Sequence, residues 1–241
     1  MDPEKPLKVF VINLDQRQDR WQEVKTMMSS WEKADYSRFS AIVPDLSSTP
    51  KQHYNNFFYP RSRNKVSRYI RGAVGCKMSH YQIISKAQEQ KYPYILILED
   101  DACIKVSGNG GVVEKIQATV QTLSRVGPEW WMCYLGGKNL GDLTMTGFSS
   151  PCGLEIGYTS LGMKTTHAYL IHERAYETVL KGMLDSGLEV DRFYCWLHQE
   201  LIRHWKGENK VKIYRTVPGL FTQRDDYSDI QGRDVAYRKI S

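Results

Sequence analysis

The chain has no apolar run approaching the roughly 20 residues a membrane-spanning helix needs, so no such helix is expected. Its five cysteines (76, 103, 133, 152 and 195) are odd in number, widely scattered, and include no Cys-x-x-Cys pair. That pattern fits reduced thiols in a cytosol better than a disulfide framework or a zinc site. Internal repeats and low-complexity tracts are also missing, which excludes a solenoid or a fibrous chain. Acid is absent from one long stretch: no Asp or Glu stands between Asp45 and Glu89. The same stretch carries Lys51, Arg61, Arg63, Lys65, Arg68, Arg71, Lys77 and Lys86, within a net charge of +6. Such a block favours an anionic partner: a phosphate, a nucleic acid or an acidic membrane face. The alternative is a solvated loop surface.

What is present is a soluble globular composition, 41% apolar and 12% aromatic over 241 residues, enough for one α/β domain. "KVFVINL" (8–14) reads as a buried strand, followed by a helix that Asp15 can cap, with Trp21, Val24, Met28 and Trp31 on one face. Residues 36–43 alternate like a second strand. Residues 44–71 read as a long basic loop, and a helix is expected from Gly72, with Val74, Met78, Tyr81 and Ile84 as its packing stripe. Strand 93–98 comes next, then a helix with Val113, Ile116, Val120 and Leu123 in phase. After that come strand 130–137, a Gly- and Ser-rich loop over 138–163, strand 164–172 and a helix to about Leu184. Asp191 opens a last helix; strand 210–218 and a polar C-terminal tail over 221–241 close the chain. Strands alternating with helices predict a single domain over 1–241: a mostly parallel sheet flanked by helices, Rossmann-like in class. The opening "MDPEKPLKVFVINL" lacks the layout of a secretory signal, and a cytoplasmic location is expected.

The chemistry begins at "YILILEDDACI", where a buried strand runs into Glu99, Asp100 and Asp101. In α/β sheets ligands bind beyond the carboxyl ends of the strands. Continued strand geometry would point Glu99 and Asp101 to one side and Asp100 to the other. Two carboxylates aimed at one spot suit a hard divalent cation that also holds substrate phosphates; a solvated acidic turn or a helix cap is the alternative. Arg17 and Arg20 oppose the dipole of the first helix, which an anion at the helix start would relieve, as would pairing with Asp15 or Asp19. Gly72 and Gly75 precede Ser79 and His80, where close backbone approach and polar side chains could meet a ligand. His80 as a satisfied, half-buried histidine is the other reading.

Six stretches in order, "VFVINLDQRQDR", "GAVGCKMSH", "LILEDDA", "TTHAYLIHERA", "VDRFY" and "PGLFTQRDDYSDI", resemble glycosyltransferase family 25, from about residue 8 to 230. The family includes bacterial lipopolysaccharide sugar transferases and the collagen galactosyltransferases. The resemblance implies a GT-A fold, a nucleotide-sugar donor (UDP-galactose foremost), a divalent ion (Mn²⁺, or Mg²⁺) and inverting transfer. By motif it implies Asp101, with Glu99, as metal ligands. Asn13, Leu14, Arg17, Arg20, Gly75, Ser79, His80, Asp100, Gln223 and Asp229 fall on the donor side. Asp191 is the candidate base, a plain helix cap being its alternative, and His167 is the second candidate. The implied acceptor is a glycan, a lipid-linked glycan or a glycoprotein, with peripheral membrane contact through the basic loop. A catalytically inactive glycan-binding protein on the same fold is the alternative. Nucleic-acid binding through 51–86 is disfavoured, because that stretch holds the "GCxxSH" motif.

Overall fold

The computed structural model describes residues 6–57, 63–105, 111–127, 129–204, 211–230 and 233–235. In chain order its elements are β1 (Leu7–Asn13), α1 (Gln18–Met28), β2 (Ala34–Ser40), α2 (Arg63–Glu89), β3 (Tyr94–Glu99), β4 (Ala102–Ile104), α3 (Val112–Val126) and β5 (Met132–Tyr134). Then follow β6 (Lys138–Asn139), β7 (Leu143–Ser149), β8 (Glu155–Thr159), β9 (Met163–Lys164), β10 (Ala168–His172), α4 (Glu173–Asp185), α5 (Val190–His204) and β11 (Ile213–Val217). Three short strands come last: β12 (Phe221–Gln223), β13 (Asp226–Ser228) and β14 (Arg233–Val235).

Eight strands form the main sheet in the order β2-β1-β3-β10-β5-β11-β8-β7. Strands β2, β1, β3, β5, β11 and β7 run one way, while β10 and β8 run against them. The expected α/β class and mostly parallel sheet are therefore found, with a reversed strand at the centre. Period-two alternation divides the core in two. Val9, Val11, Leu96, Leu98 and Leu170 pack under α1 and α3. Phe10, Ile12, Ile95, Ile97 and Ile171 pack under α2, α4 and α5. Helices thus cover both faces, and the strand ends of the β1–β3 side stay open as a rim.

Four expectations need correction. Helix α2 starts at Arg63, so its first turns occupy what read as loop. Further along the helix, Ile70, Ala73 and Val74 cluster with Phe57, and Leu46, Tyr54 and Ile230 pack against them. The stretch 138–163 holds β6 to β9 rather than a loop. Strand β7 is exposed on nearly every residue, so it carries no alternation to read. Asp15 does not cap α1: the N-cap is Arg17, without a side-chain bond, and Asp15 instead accepts from Ser40 and pairs with Arg38. The basic block is not one surface either, since Lys77 is buried; its Arg61 lies outside the described residues. No helix among the described residues is long and apolar enough to cross a membrane.

Candidate active site

A cavity of about 930 Å³ opens at the rim where β1, β2 and β3 end. Its wall includes Leu14 and Arg20, the Ala41–Pro44 loop, the α2 face with Arg68, Arg71, Gly75 and Cys76, and the acids Glu99, Asp100 and Asp101. Thr165 and Thr166 before β10, Glu189 and Asp191 at the start of α5, and Gln223, Ser228 and Asp229 of the C-terminal segment complete it.

The acids separate because β3 ends at Glu99 and residues 100–101 turn into β4. All three line the cavity, so Asp100 does not face away as strand geometry would have had it. Each has its own partners. Glu99 Oε1 accepts from Thr166 Oγ1 at 2.7 Å and lies 3.3 Å from His80 Nε2. Burial raises the Glu99 carboxyl, but the His80 and Thr166 hydrogen bonds help bring it below its ordinary value. Asp100 accepts from Asn13 Nδ2 (2.7 Å) and from Arg20 Nη1 (3.0 Å). Burial still pushes its carboxyl up despite Arg20. Asp101 Oδ2 accepts from Gln223 Nε2 at 3.2 Å, a contact set by antiparallel pairing of β12 with β4. Its Oδ1 is buried with no hydrogen-bond partner among the described residues. Burial, then the charges of Glu99 and Asp100, push the Asp101 carboxyl up to about 8. An anion so placed wants a proton or a cation. Carboxylate oxygens are the donor type that suits Mn²⁺ or Mg²⁺.

The arginines of α1 meet carboxylates. Arg17 Nη1 donates to Asp229 at 2.7 Å and Nη2 to Asp19 at 2.9 Å, while Arg20 binds Asp100. Through Asp229, Arg17 ties the C-terminal segment across the cavity. Asn13 is buried behind the wall and braces three elements, accepting from Arg38 Nε at 2.8 Å and donating to the Arg17 carbonyl at 3.1 Å.

Ser79, His80 and His167 also lie buried behind the wall. Ser79 Oγ bonds the Gly75 carbonyl and the Ile42 N–H, joining α2 to the loop after β2. Gly75 faces the Ile42 carbonyl so closely that a Cβ would collide with it; close packing between elements is its visible role. His167 Nδ1 meets Thr165 Oγ1 at 3.1 Å, its Nε2 is buried without a partner among the described residues, and burial lowers its pKa to about 4. Asp191 lines the cavity, with Oδ1 accepting from the Arg192 N–H at 2.8 Å and its carboxyl raised chiefly by burial.

Sequence reasoning passed over Thr165, Thr166 and Glu189 as site residues. Thr165 has a positive φ of 73°, a strained backbone for a β-branched residue. The doubled threonine before "HAYLIH" and the acid two residues before Asp191 were the available signals.

A family model for glycosyltransferase family 25 (LPS biosynthesis protein) matches residues 7–126. Among curated proteins, Procollagen galactosyltransferase 1-A of Xenopus laevis is 25% identical over 142 residues, covering 55% of this chain and 21% of its own length. Procollagen galactosyltransferase 1-B of the same organism matches to the same extent. The chain therefore spans about a fifth of the length of these relatives (21%). Among solved structures, a glycosyltransferase involved in the glycosylation of the major capsid of PBCV-1 shares 11% identity at a TM-score of 0.36, over 73% of this chain and 66% of that one. A mannose-1-phosphate geranyltransferase from Thermus thermophilus shares 9% at a TM-score of 0.36, over 94% and 76%. Similarities this low leave the fold to rest on its own strands. The acids at 99–101, the Gly75–His80 turn and the Asn13–Arg20 strand end all lie inside the matched stretch, and the chain belongs to glycosyltransferase family 25.

Proposed function

We propose that the chain moves a hexose, galactose first among candidates, from a UDP-sugar to a hydroxyl of a glycan, lipid-linked or glycoprotein acceptor, with inversion at the anomeric carbon. The observation that carries this is Asp101: a half-buried carboxylate whose Oδ1 is buried with no partner among the described residues, beside other acids, on a cavity of about 930 Å³. That volume is of the size that holds a drug-sized ligand. The family description and the names of the two Xenopus laevis relatives support sugar transfer and galactose.

In this reading Asp101 and Glu99 hold Mn²⁺ or Mg²⁺. Bound there, the ion supplies positive charge for a departing diphosphate. Arg20 and Asn13 fix Asp100, which keeps the turn carrying Asp101 in place. Asp191 takes the acceptor's hydroxyl proton. Its raised pKa moves it towards the working range of a general base, and the Arg192 N–H orients one oxygen. Arg68 and Arg71, exposed on the cavity rim, offer cations to the anionic parts of either substrate.

A screen of UDP-, GDP- and CMP-sugars with Mn²⁺, read as release of free nucleotide, tests the reading. UDP release from UDP-galactose is expected in wild type, and Asp101→Asn should lose it. Release only from GDP- or CMP-sugars would overturn the donor assignment, and undiminished turnover in Asp101→Asn would overturn the metal assignment.

A further inference from the structure

One cluster on the cavity wall has a different chemistry from the acids. Cys76 and His80 stand four residues apart on α2 and so share a face. Glu99 meets them from the end of β3. One ligand atom from each lies within 4.8 Å of the others, and His80 Nε2 is 3.3 Å from Glu99 Oε1. Tetrahedral bonds to a zinc-like ion set donors roughly 3.4–3.8 Å apart, so small side-chain rotations close the set.

The ligands are already braced from behind. His80 Nδ1 lies 2.8 Å from the Tyr169 hydroxyl, which lies 3.0 Å from that of Tyr194, and the His80 and Tyr169 rings stack at 5.6 Å. Thr166 holds Glu99. Outer hydrogen bonds of this kind orient ligands in metal centres. In front, Cys76 and Glu99 reach the cavity wall while His80 lies buried behind it, so a fourth position faces the cavity.

We infer that Cys76, His80 and Glu99 form a second cation site, for a borderline-soft divalent ion of the Zn²⁺ class, distinct from the carboxylate site at Asp101. A sulfur, nitrogen and oxygen set favours such an ion over Mg²⁺ or Mn²⁺. Binding forms one bond each to Sγ, Nε2 and a Glu99 oxygen. The thiol proton leaves to solvent. The proton that His80 Nε2 shares with Glu99 in the ion-free site is released to solvent, and Nδ1 carries the imidazole proton, taken up from solvent, which the Tyr169 oxygen accepts while the Tyr169 hydroxyl donates to Tyr194. Glu99 is a ligand common to this site and to the proposed Asp101 site. The inference does not require that the chain transfer sugars.

Co²⁺ serves as the probe, because a cobalt–thiolate bond gives a near-ultraviolet charge-transfer band. Wild-type protein titrated with Co²⁺ should develop this band, and Zn²⁺ should erase it. Cys76→Ser should lack it, while Cys152→Ser and Asp101→Asn should keep it, with melting curves confirming that each variant is folded. Absence of the band in wild type, its survival in Cys76→Ser or its loss in Cys152→Ser would overturn the site. A second reading needs no variant: Zn²⁺ should protect Cys76 in the wild-type chain from iodoacetamide, as mapped by peptide mass. Equal labelling with and without Zn²⁺ overturns the site on its own.

Discussion

At the scale of single residues, the half-buried Asp191 and the buried His167 behave oppositely. Asp191 faces the cavity, and we expect Asp191→Asn to bind nucleotide as wild type does while turnover falls about 10²–10⁴-fold, the usual worth of a general base. Steady-state rates beside calorimetric nucleotide titration check this; equal turnover would return Asp191 to a helix-start role. His167 is sealed behind the wall with a folded pKa near 4 against 6.5. As pH falls below 6.5 the unfolded chain takes up this proton first, so stability drops until about pH 4 and then levels. The shift corresponds to roughly 3 kcal/mol. The stability advantage of wild type over His167→Gln, read from urea unfolding, should shrink by about that amount between pH 7 and pH 4, and a constant difference would contradict it. A histidine so reluctant to take a proton also fits the base role poorly.

At the scale of elements, α2 decides how the cavity is walled, and it does so by close approach. Gly75→Ala would drive a methyl into the Ile42 carbonyl and against Pro44. We expect a loss of about 1–3 kcal/mol, the common cost of overpacking, visible as a lower thermal midpoint. An unchanged midpoint would mean that the loop after β2 yields freely. Lys77, on the same helix, is buried with Nζ donating to the His53 carbonyl at 2.8 Å, and burial lowers its pKa to about 8. Between pH 8 and its ordinary 10.5 the unfolded chain binds this proton more than the folded one does, so the contribution of Lys77 to stability rises with pH across that window. Midpoints measured at pH 8 and pH 10 should therefore diverge in favour of wild type over Lys77→Met; a constant difference would contradict the burial argument.

At the scale of the whole molecule, some parts read directly from the sequence and others do not, for physical reasons. Strands β1 and β3 are short apolar runs buried on both faces, and helix α3 buries one stripe of its own residues, so run length and helical period announce them. The first turns of α2 are polar and basic in sequence, and the apolar partners of Ile70, Ala73 and Val74 farther along it are Phe57, Leu46, Tyr54 and Ile230, which lie outside the helix. The β7–β8 hairpin escapes notice because β7 buries almost nothing. In the site, the acids at 99–101 stand out because their crowding is written in adjacent letters. The roles of Asn13, Ser79 and His80 as braces come only from which strands lie side by side. The reversal of β10 brings Thr165 and Thr166 to the same rim as the end of β3. The account as a whole requires a nucleotide and a divalent cation to meet at Asp101, and calorimetric titration of UDP tests that most directly. It predicts binding to wild type that needs Mn²⁺ and disappears in a folded Asp101→Asn protein; UDP binding that is equal without Mn²⁺, or equal in that variant, would contradict it.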